Sequence, residues 1–308
     1  LSIDFRTRFD AHKLVEEFMV TANVCAAETL EAKDKNLLYR VHEEPSPEKL
    51  EGLREVAEAS GLELAKGQVL KTQHLNKLLA AAENTEDSEI INMTVLRCMA
   101  QAYYAPNNFG HFGLNLRRYA HFTSPIRRYA DLIVHRALVS VHDFGDDGLS
   151  SEEEAVLKET GEWISTTERR SMLAERDTTD RYLAAFLADR IGVEFTGRVS
   201  GIAKFGLFVK LDDTGADGII PLSKLGREYW HYDDRNRTLK GDDSGRIIAI
   251  GMPCKVALVD ATAVTGGLTL EMLELNGNEM PKGSGRQTSH KGRLITRSKD
   301  KGKRKKNR

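Results

Sequence analysis

Two adjacent arginines, Arg127 and Arg128, follow a Thr-Ser-Pro triplet in the string His121-Phe-Thr-Ser-Pro-Ile-Arg-Arg-Tyr-Ala-Asp-Leu132. Thr123 and Ser124 are residue types that cap helix N-termini, and Pro125 suits a first helical position, where its missing N–H costs nothing. The spacing therefore predicts a helix over 124–142. The free N–H groups and dipole at its start attract an anion. A forked guanidinium beside them grips phosphate from two sides, each charge-assisted bond being worth about 1.5–3 kcal/mol. Arg127, Asp131 and His135 recur at i, i+4 and i+8, so they share one stripe, and the acid can hold Arg127 toward a ligand. The same residue types also suit a capped helix with a surface ion pair, so these residues alone leave both readings open.

The elements that must position these arginines are mostly helical over residues 1–191. Alanine-rich residues 10–33 read as a helix with Leu14, Phe18, Thr21, Cys25 and Glu28 along one side. Pro47–Ser60 and Thr72–Ala82 read as short helices, and Asp87–Tyr104 as a longer one stopped by Pro106-Asn-Asn108. Gly145-Asp-Asp-Gly148 is a turn, and Ser151–Arg190 reads as one long helix. At Gly192 the period changes to that of strands: Val193–Ser200, Lys204–Leu211, Gly218–Ser223, Lys255–Asp260 and Leu268–Met272. Five short strands in so few residues predict a small closed barrel of OB type. The whole is an α+β chain: a helical region over 1–191, a barrel over 192–275 and a basic tail over 276–308. The tail's apolar content is too low for a core, so it is expected to be disordered.

The 308 residues carry a net charge of −1, which hides a strong asymmetry. Residues 282–308 hold 12 Lys and Arg against the single acid Asp300, a net of +11, and the remainder is at −12. An acidic body with a basic tail points to a polyanionic partner, RNA or a ribosome. If the tail covered about six phosphates, the slope of log affinity against log salt would steepen by about 4. No apolar run is long enough for a membrane span, and no N-terminal signal is visible. The chain opens on Leu1 in mid-pattern, and a fragment is expected. Cys25, Cys98 and Cys254 lie far apart, without metal spacing, and read as buried free thiols in a reducing cytoplasm. A monomer is expected.

The full 121–132 string resembles the signature of the ribonuclease II and ribonuclease R family, processive exoribonucleases built on an RNB catalytic domain. Leu38-Tyr-Arg-Val-His-Glu-Glu-Pro45, Gln101-Ala-Tyr-Tyr-Ala105 and His111-Phe-Gly-Leu114 extend the resemblance, which runs to about Leu275. It implies 3′-to-5′ hydrolysis of single-stranded and structured RNA to nucleoside 5′-monophosphates. It also implies that Arg127 holds the scissile phosphate, while Arg128 pairs structurally beside the RNA. Glu175, in Met172-Leu-Ala-Glu-Arg-Asp177, is implied at the active centre near the RNA 3′ end. One of Glu16 and Glu17 is implied to contact ribose, and the sequence does not say which. Ala130 departs from the family pattern, where proline is frequent.

His121, Tyr129 and His111 are candidates for stacking on bases, although aromatics in a helical region more often serve the core. In the barrel, Lys204-Phe-Gly-Leu-Phe208 resembles the RNA-binding domain named after ribosomal protein S-one. That resemblance implies Phe205 and Phe208 as stacking platforms, with Lys204 and Arg198 on phosphates and Tyr229, His231 and Tyr232 as further contacts. The family also uses magnesium held by an aspartate cluster. His142-Asp-Phe-Gly-Asp-Asp147, Tyr232-Asp-Asp234 and Gly241-Asp-Asp243 do not match that cluster, so no metal ligand is assigned here, and the fragment alone is expected to be inactive. Two alternatives remain: a non-catalytic RNA-binding module, and a ribosome-associated barrel protein that would account for only 192–275 and the tail.

Overall fold

The computed structural model describes residues 3–5, 7–64, 70–85, 87–226, 228–234 and 237–281. The basic segment 282–308 lies outside the described residues. The chain divides into two compact units, residues 1–189 with 261–267, and residues 190–260 with 268 onward.

The first unit runs α1 (Asp10–Ala32), β1 (Tyr39–Val41), α2 (Pro47–Ala59), α3 (Thr72–Ala82), α4 (Ser88–Cys98), β2 (Tyr103–Ala105), α5 (Tyr129–His142), α6 (Ser151–Ala155) and α7 (Leu157–Leu187). Two cores hold it. Ala26, Ala27 and Leu30 of α1 meet Ile133, Val134 and Ala137 of α5 in one; Leu53, Leu75, Leu78 and Ile91 fill the other, between α2, α3 and α4. The buried side of α1 is thus not the expected one. Leu14 and Phe18 are exposed, as is Cys25, whereas Cys98 and Cys254 are buried. Small residues let α1 and α5 approach closely, and an alanine face wins over the larger apolar stripe.

The expected helix over 87–104 ends early. Met99 turns extended, and Tyr103–Ala105 pairs antiparallel with Tyr39–Val41, so that Arg40 lies opposite Tyr104. This strand is seated on α7 by Ser165, whose hydroxyl accepts the Tyr104 N–H at 2.9 Å and donates to the Gly161 carbonyl at 2.7 Å. The long helix expected over 151–190 is broken at Val156 (φ −106°, ψ 15°), and its last residues, Ala188–Arg190, form a 3₁₀ turn.

The second unit is a closed barrel of β3 (Glu194–Ala203), β4 (Gly206–Leu211), β5 (Asp217–Pro221), β9 (Pro253–Thr262) and β10 (Gly267–Leu275), in the order β10-β5-β4-β3-β9 with β9 pairing back to β10. Alternation fills it: Val199, Leu207, Val209, Leu211, Ile220, Val256, Leu258 and Leu270 point inward. The β5–β10 pair is parallel and the others with printed register are antiparallel. Between β5 and β9 the chain adds a three-stranded sheet of β6 (Trp230–Asp233), β7 (Thr238–Gly241) and β8 (Ile247–Ile248), which the sequence reading did not anticipate. Its turn-rich acidic sequence hides short strands whose alternation is carried by only Trp230, Leu239 and Ile248. Beyond Leu275 the chain does not yet leave the barrel: β11 (Asn278–Glu279) pairs with β10 and Met280 is buried.

A Cβ at Gly161 would meet the Tyr104 carbonyl oxygen at 2.7 Å. Gly161→Ala should therefore push β2 off α7 and cost about 1–3 kcal/mol, despite alanine's better helix propensity; urea unfolding monitored by circular dichroism reads the shift in midpoint.

Candidate functional site

The arginine segment is not the capped helix start that its sequence suggests. Ser124 O accepts the N–H groups of Arg127 (3.3 Å) and Arg128 (3.1 Å), closing a turn. Arg128 is then extended (φ −127°, ψ 117°), and α5 begins at Tyr129 with no side-chain cap. Thr123, Ser124 and Pro125 precede the helix instead of starting it. The reason lies one turn into α5. Asp131, wholly buried, takes the Ser124 N–H on Oδ1 at 2.7 Å, so the donor that would have been free for an anion is already used.

Asp131 Oδ1 also accepts Arg128 Nη2 at 2.7 Å. The acid therefore pairs with Arg128, not with Arg127 as the i, i+4 spacing suggested, because the extended residue at 128 shifts the register of the stripe. His135 lies on another partner, its Nε2 at 2.8 Å from the Phe122 carbonyl, with its ring stacked on Phe122 at 4.2 Å. The result is a division of labour. Arg128 is four-fifths buried and held by a carboxylate, whereas Arg127 is exposed, and no ion pair or hydrogen bond engages its guanidinium among the described residues. Breaking a buried ion pair costs about 3–5 kcal/mol, so the Asp131–Arg128 contact fixes the loop firmly.

A second clamp comes from α1. Buried Asn23 accepts the N–H groups of Phe122 (2.8 Å) and Thr123 (3.3 Å) on Oδ1 and donates to the Tyr119 hydroxyl at 3.0 Å. Arg40 supplies a third cation, its guanidinium 4.6 Å above the Tyr104 ring and 2.7 Å from Glu168 of α7. Sequence reasoning missed Asn23, Arg40 and Glu168. The signal for Arg40 was its place in the quoted 38–45 string; nothing in the sequence marked Glu168 over Glu175.

His121 bridges these parts. Its Nδ1 is 2.8 Å from the Tyr104 hydroxyl, and its ring packs edge-on against Tyr119 and Tyr104. Burial, then the Arg128 and Arg40 charges, push its pKa down to about 3. Burial, with His42 and Arg40 adding repulsion, pushes His111 down to about 4. Tyr104 is pushed up to about 12, chiefly by burial. Both imidazoles are neutral at physiological pH, so they add no positive charge beside Arg40, Arg127 and Arg128. His121 and His111 are part of this packed ring cluster, while Tyr129 is half exposed.

The remaining residues are dispersed. Glu175 is exposed on α7, seven residues beyond Glu168, and among the described residues no ion pair or hydrogen bond links it to Arg127. Glu16 pairs with Arg8, and Glu17 is exposed one residue further on α1. In the barrel, Phe205 is exposed at the β3–β4 turn and Phe208 is half-exposed on β4, their rings edge-to-face at 6.0 Å. Arg198 and Lys210 are register partners on the same outward face, and Lys204 is exposed at the turn. This makes an aromatic pair beside three cations. His231 sits on the added sheet, against Tyr229 at 4.8 Å and Asp242 at 3.3 Å.

Among the described residues, no group of three or more His, Cys, Asp or Glu is placed to hold a metal ion. Among the described residues the one wholly buried carboxylate is Asp131, whose Oδ1 takes Arg128 and a backbone N–H while its Oδ2 has no hydrogen-bond partner, and a single carboxylate oxygen does not make a metal centre. The donor set of the described residues does not fit a magnesium centre. No described helix is long and apolar enough to cross a membrane.

Residues 1–143 match the RNB domain and residues 188–247 match the S1 RNA binding domain, so the chain belongs to the RNB family and carries an S1-type barrel. Within that family the similarity runs to ribonuclease R. The chain is 38% identical to ribonuclease R of Escherichia coli (strain K12) over 257 residues, 81% of this chain and 32% of that protein. It is 35% identical to ribonuclease R of Aquifex aeolicus over 267 residues, 87% of this chain and 38% of that protein. Mycoplasma genitalium RNase R in complex with ribose-methylated single-stranded RNA superposes with a TM-score of 0.80 at 28% identity, covering 88% of this chain and 43% of that one. The chain thus spans about a third of the length of the curated relatives it matches.

The two neutral histidines give stability a pH dependence of known sign. Unfolded imidazoles titrate near 6.5, above the folded values of about 3 and about 4, so the unfolded chain binds protons first. Their contribution is complete above about pH 6.5 and is lost as the pH falls toward 4 and then 3. Urea unfolding across that range should show stability falling with acid, and His121→Gln should flatten the slope.

Proposed function

We propose that the chain is the RNA-gripping part of a 3′-to-5′ exoribonuclease that hydrolyses single-stranded and structured RNA to nucleoside 5′-monophosphates. The observation that carries this reading is the uncommitted guanidinium of Arg127, presented on a turn clamped by Asp131 and Asn23. In this reading Arg127 binds the scissile phosphate, and Arg128 acts through Asp131 to hold the turn. Neutral His121 keeps the pocket from accumulating a further charge, which would broaden anion binding at the cost of geometry. Glu175 and one of Glu16 and Glu17 act on ribose hydroxyls, which carboxylates accept readily.

The barrel captures incoming strand. Phe205 and Phe208 stack on bases at about 1–3 kcal/mol per base without sequence preference. Arg198, Lys204 and Lys210 meet phosphates, and the segment 282–308, with its net charge of +11, adds sequence-independent attraction. RNA is the proposed partner, and the relative solved with single-stranded RNA is consistent with that choice.

Magnesium is the cofactor proposed for the reaction, but the described carboxylates do not supply its ligands, so no catalytic step is assigned to this chain alone. The same observation favours a second reading, a non-catalytic RNA-binding module. The experiment that separates them uses the 308-residue chain, a 3′-hydroxyl oligoribonucleotide and magnesium. Tight binding without release of mononucleotides is expected, with Arg127→Ala weakening binding by about tenfold at unchanged thermal midpoint. Robust mononucleotide release that Arg127→Ala abolishes would mean that the described residues do supply a metal centre. Binding indifferent to Arg127→Ala would overturn the phosphate assignment.

A further inference from the structure

A cleft of about 350 Å³ lies between α7 and the segment that follows β2. The α7 residues facing it are Lys158, Glu162, Thr166 and Arg169, spaced i, i+4, i+8 and i+11, one stripe of the helix. Opposite stand Tyr103 and Phe109. The floor is rigid: Ser165 and Gly161 dock β2 on α7 through the hydrogen bonds given above, and Ser165 is itself buried. Of the lining, Tyr104 alone is shared with the ring cluster beside Arg127; Lys158, Glu162, Thr166, Arg169, Tyr103 and Phe109 are not part of it.

The chemistry of the lining is specific. Phe109 is 62% exposed, so its ring is open to a stacking partner. It is also shared: Phe109 lines a neighbouring cavity of about 440 Å³ whose lining includes Arg117. Lys158 and Arg169 are exposed, and among the described residues no ion pair or hydrogen bond engages either ammonium or guanidinium. Glu162, on the same stripe, is an exposed acceptor. An aromatic ring with cations in both cavities that it lines, and a carboxylate one helical turn from Lys158 and two from Arg169, matches the parts of a nucleotide: base, phosphate and ribose hydroxyl. A plain anion site would not need the ring, and an apolar ligand would not need the cations.

We propose that this cleft is an auxiliary nucleotide-binding subsite, separate from the Arg127 site. A base stacks on Phe109, its phosphate meets Arg169 and Lys158, and Glu162 accepts a ribose hydroxyl. Because Phe109 lines both clefts, consecutive nucleotides of a strand can use both, Arg117 taking the second phosphate. The shared chemistry is that of a nucleoside monophosphate, present either free or within RNA. The inference rests on the RNA reading only for the choice between those two sources.

The test is photocrosslinking of the full 308-residue chain to an oligouridylate bearing 4-thiouridine, with the attachment site mapped by mass spectrometry and uridine 5′-monophosphate as competitor. Crosslinks at Phe109 or Tyr103 are expected. They should fall by about fivefold or more in Lys158→Ala/Arg169→Ala and in Phe109→Ala, and persist in Arg127→Ala. Competition by micromolar mononucleotide assigns the subsite to free nucleotide; resistance to it assigns the subsite to the strand. An oligonucleotide that binds and crosslinks only elsewhere, or a cleft crosslink indifferent to Lys158→Ala/Arg169→Ala, overturns the subsite and leaves the Arg127 reading standing. Absence of binding by either probe overturns both.

Discussion

A buried carboxylate organises the loop that presents Arg127. Asp131 sits in the first turn of α5, where the helix dipole favours an anion, and is wholly removed from water. Such a charge is tolerable only if paired and hydrogen-bonded. It obtains both from its own chain a few residues back, from the Arg128 guanidinium and the Ser124 N–H. Pairing Asp131 Oδ1 folds the 124–128 segment into a turn, and that turn has one arginine inside and one outside. Asn23 holds the other end of the loop through two backbone N–H groups, so helices α1 and α5 jointly fix where Arg127 stands.

The surrounding charges follow from that constraint. Three guanidinium groups, those of Arg40, Arg127 and Arg128, act on one imidazole, and each of the two inner ones has an acid of its own: Glu168 for Arg40 and Asp131 for Arg128. Only Arg127 has none among the described residues. The imidazoles of His111 and His121, desolvated and surrounded by cations, stay neutral and pack as aromatic rings. The local field is thereby concentrated on a single free donor fork. In the barrel the same juxtaposition appears without burial: outward Arg198 and Lys210 lie beside the aromatic pair Phe205–Phe208.

Much of this was legible in the sequence. The bounds of α1, α2 and α3 follow from periodicity and from Pro47, and the five barrel strands follow from alternation. The motif strings identified the family, and the comparisons agree. The errors share a cause, which is tertiary contact overriding a local rule. Thr123-Ser124-Pro125 has the composition of a helix cap, but Asp131 takes the Ser124 N–H from below. The i, i+4 pairing of Arg127 with Asp131 assumes a continuous helix, and one extended residue at 128 transfers the acid to Arg128. Leu14 and Phe18 form the larger apolar stripe of α1, yet the alanine side is buried because α5 approaches closely. Tyr103–Ala105 continues a helical pattern but is recruited as a strand by Tyr39–Val41. Asn23, Arg40 and Glu168 come from three separate elements, and no spacing within any one of them announces their meeting.

The most direct test of this account is an experimental structure of the chain bound to a short single-stranded oligoribonucleotide. The account places the Arg127 guanidinium within hydrogen-bond distance of a backbone phosphate while Arg128 stays on Asp131. A strand that bypasses Arg127, or a phosphate that draws Arg128 off Asp131, would contradict it.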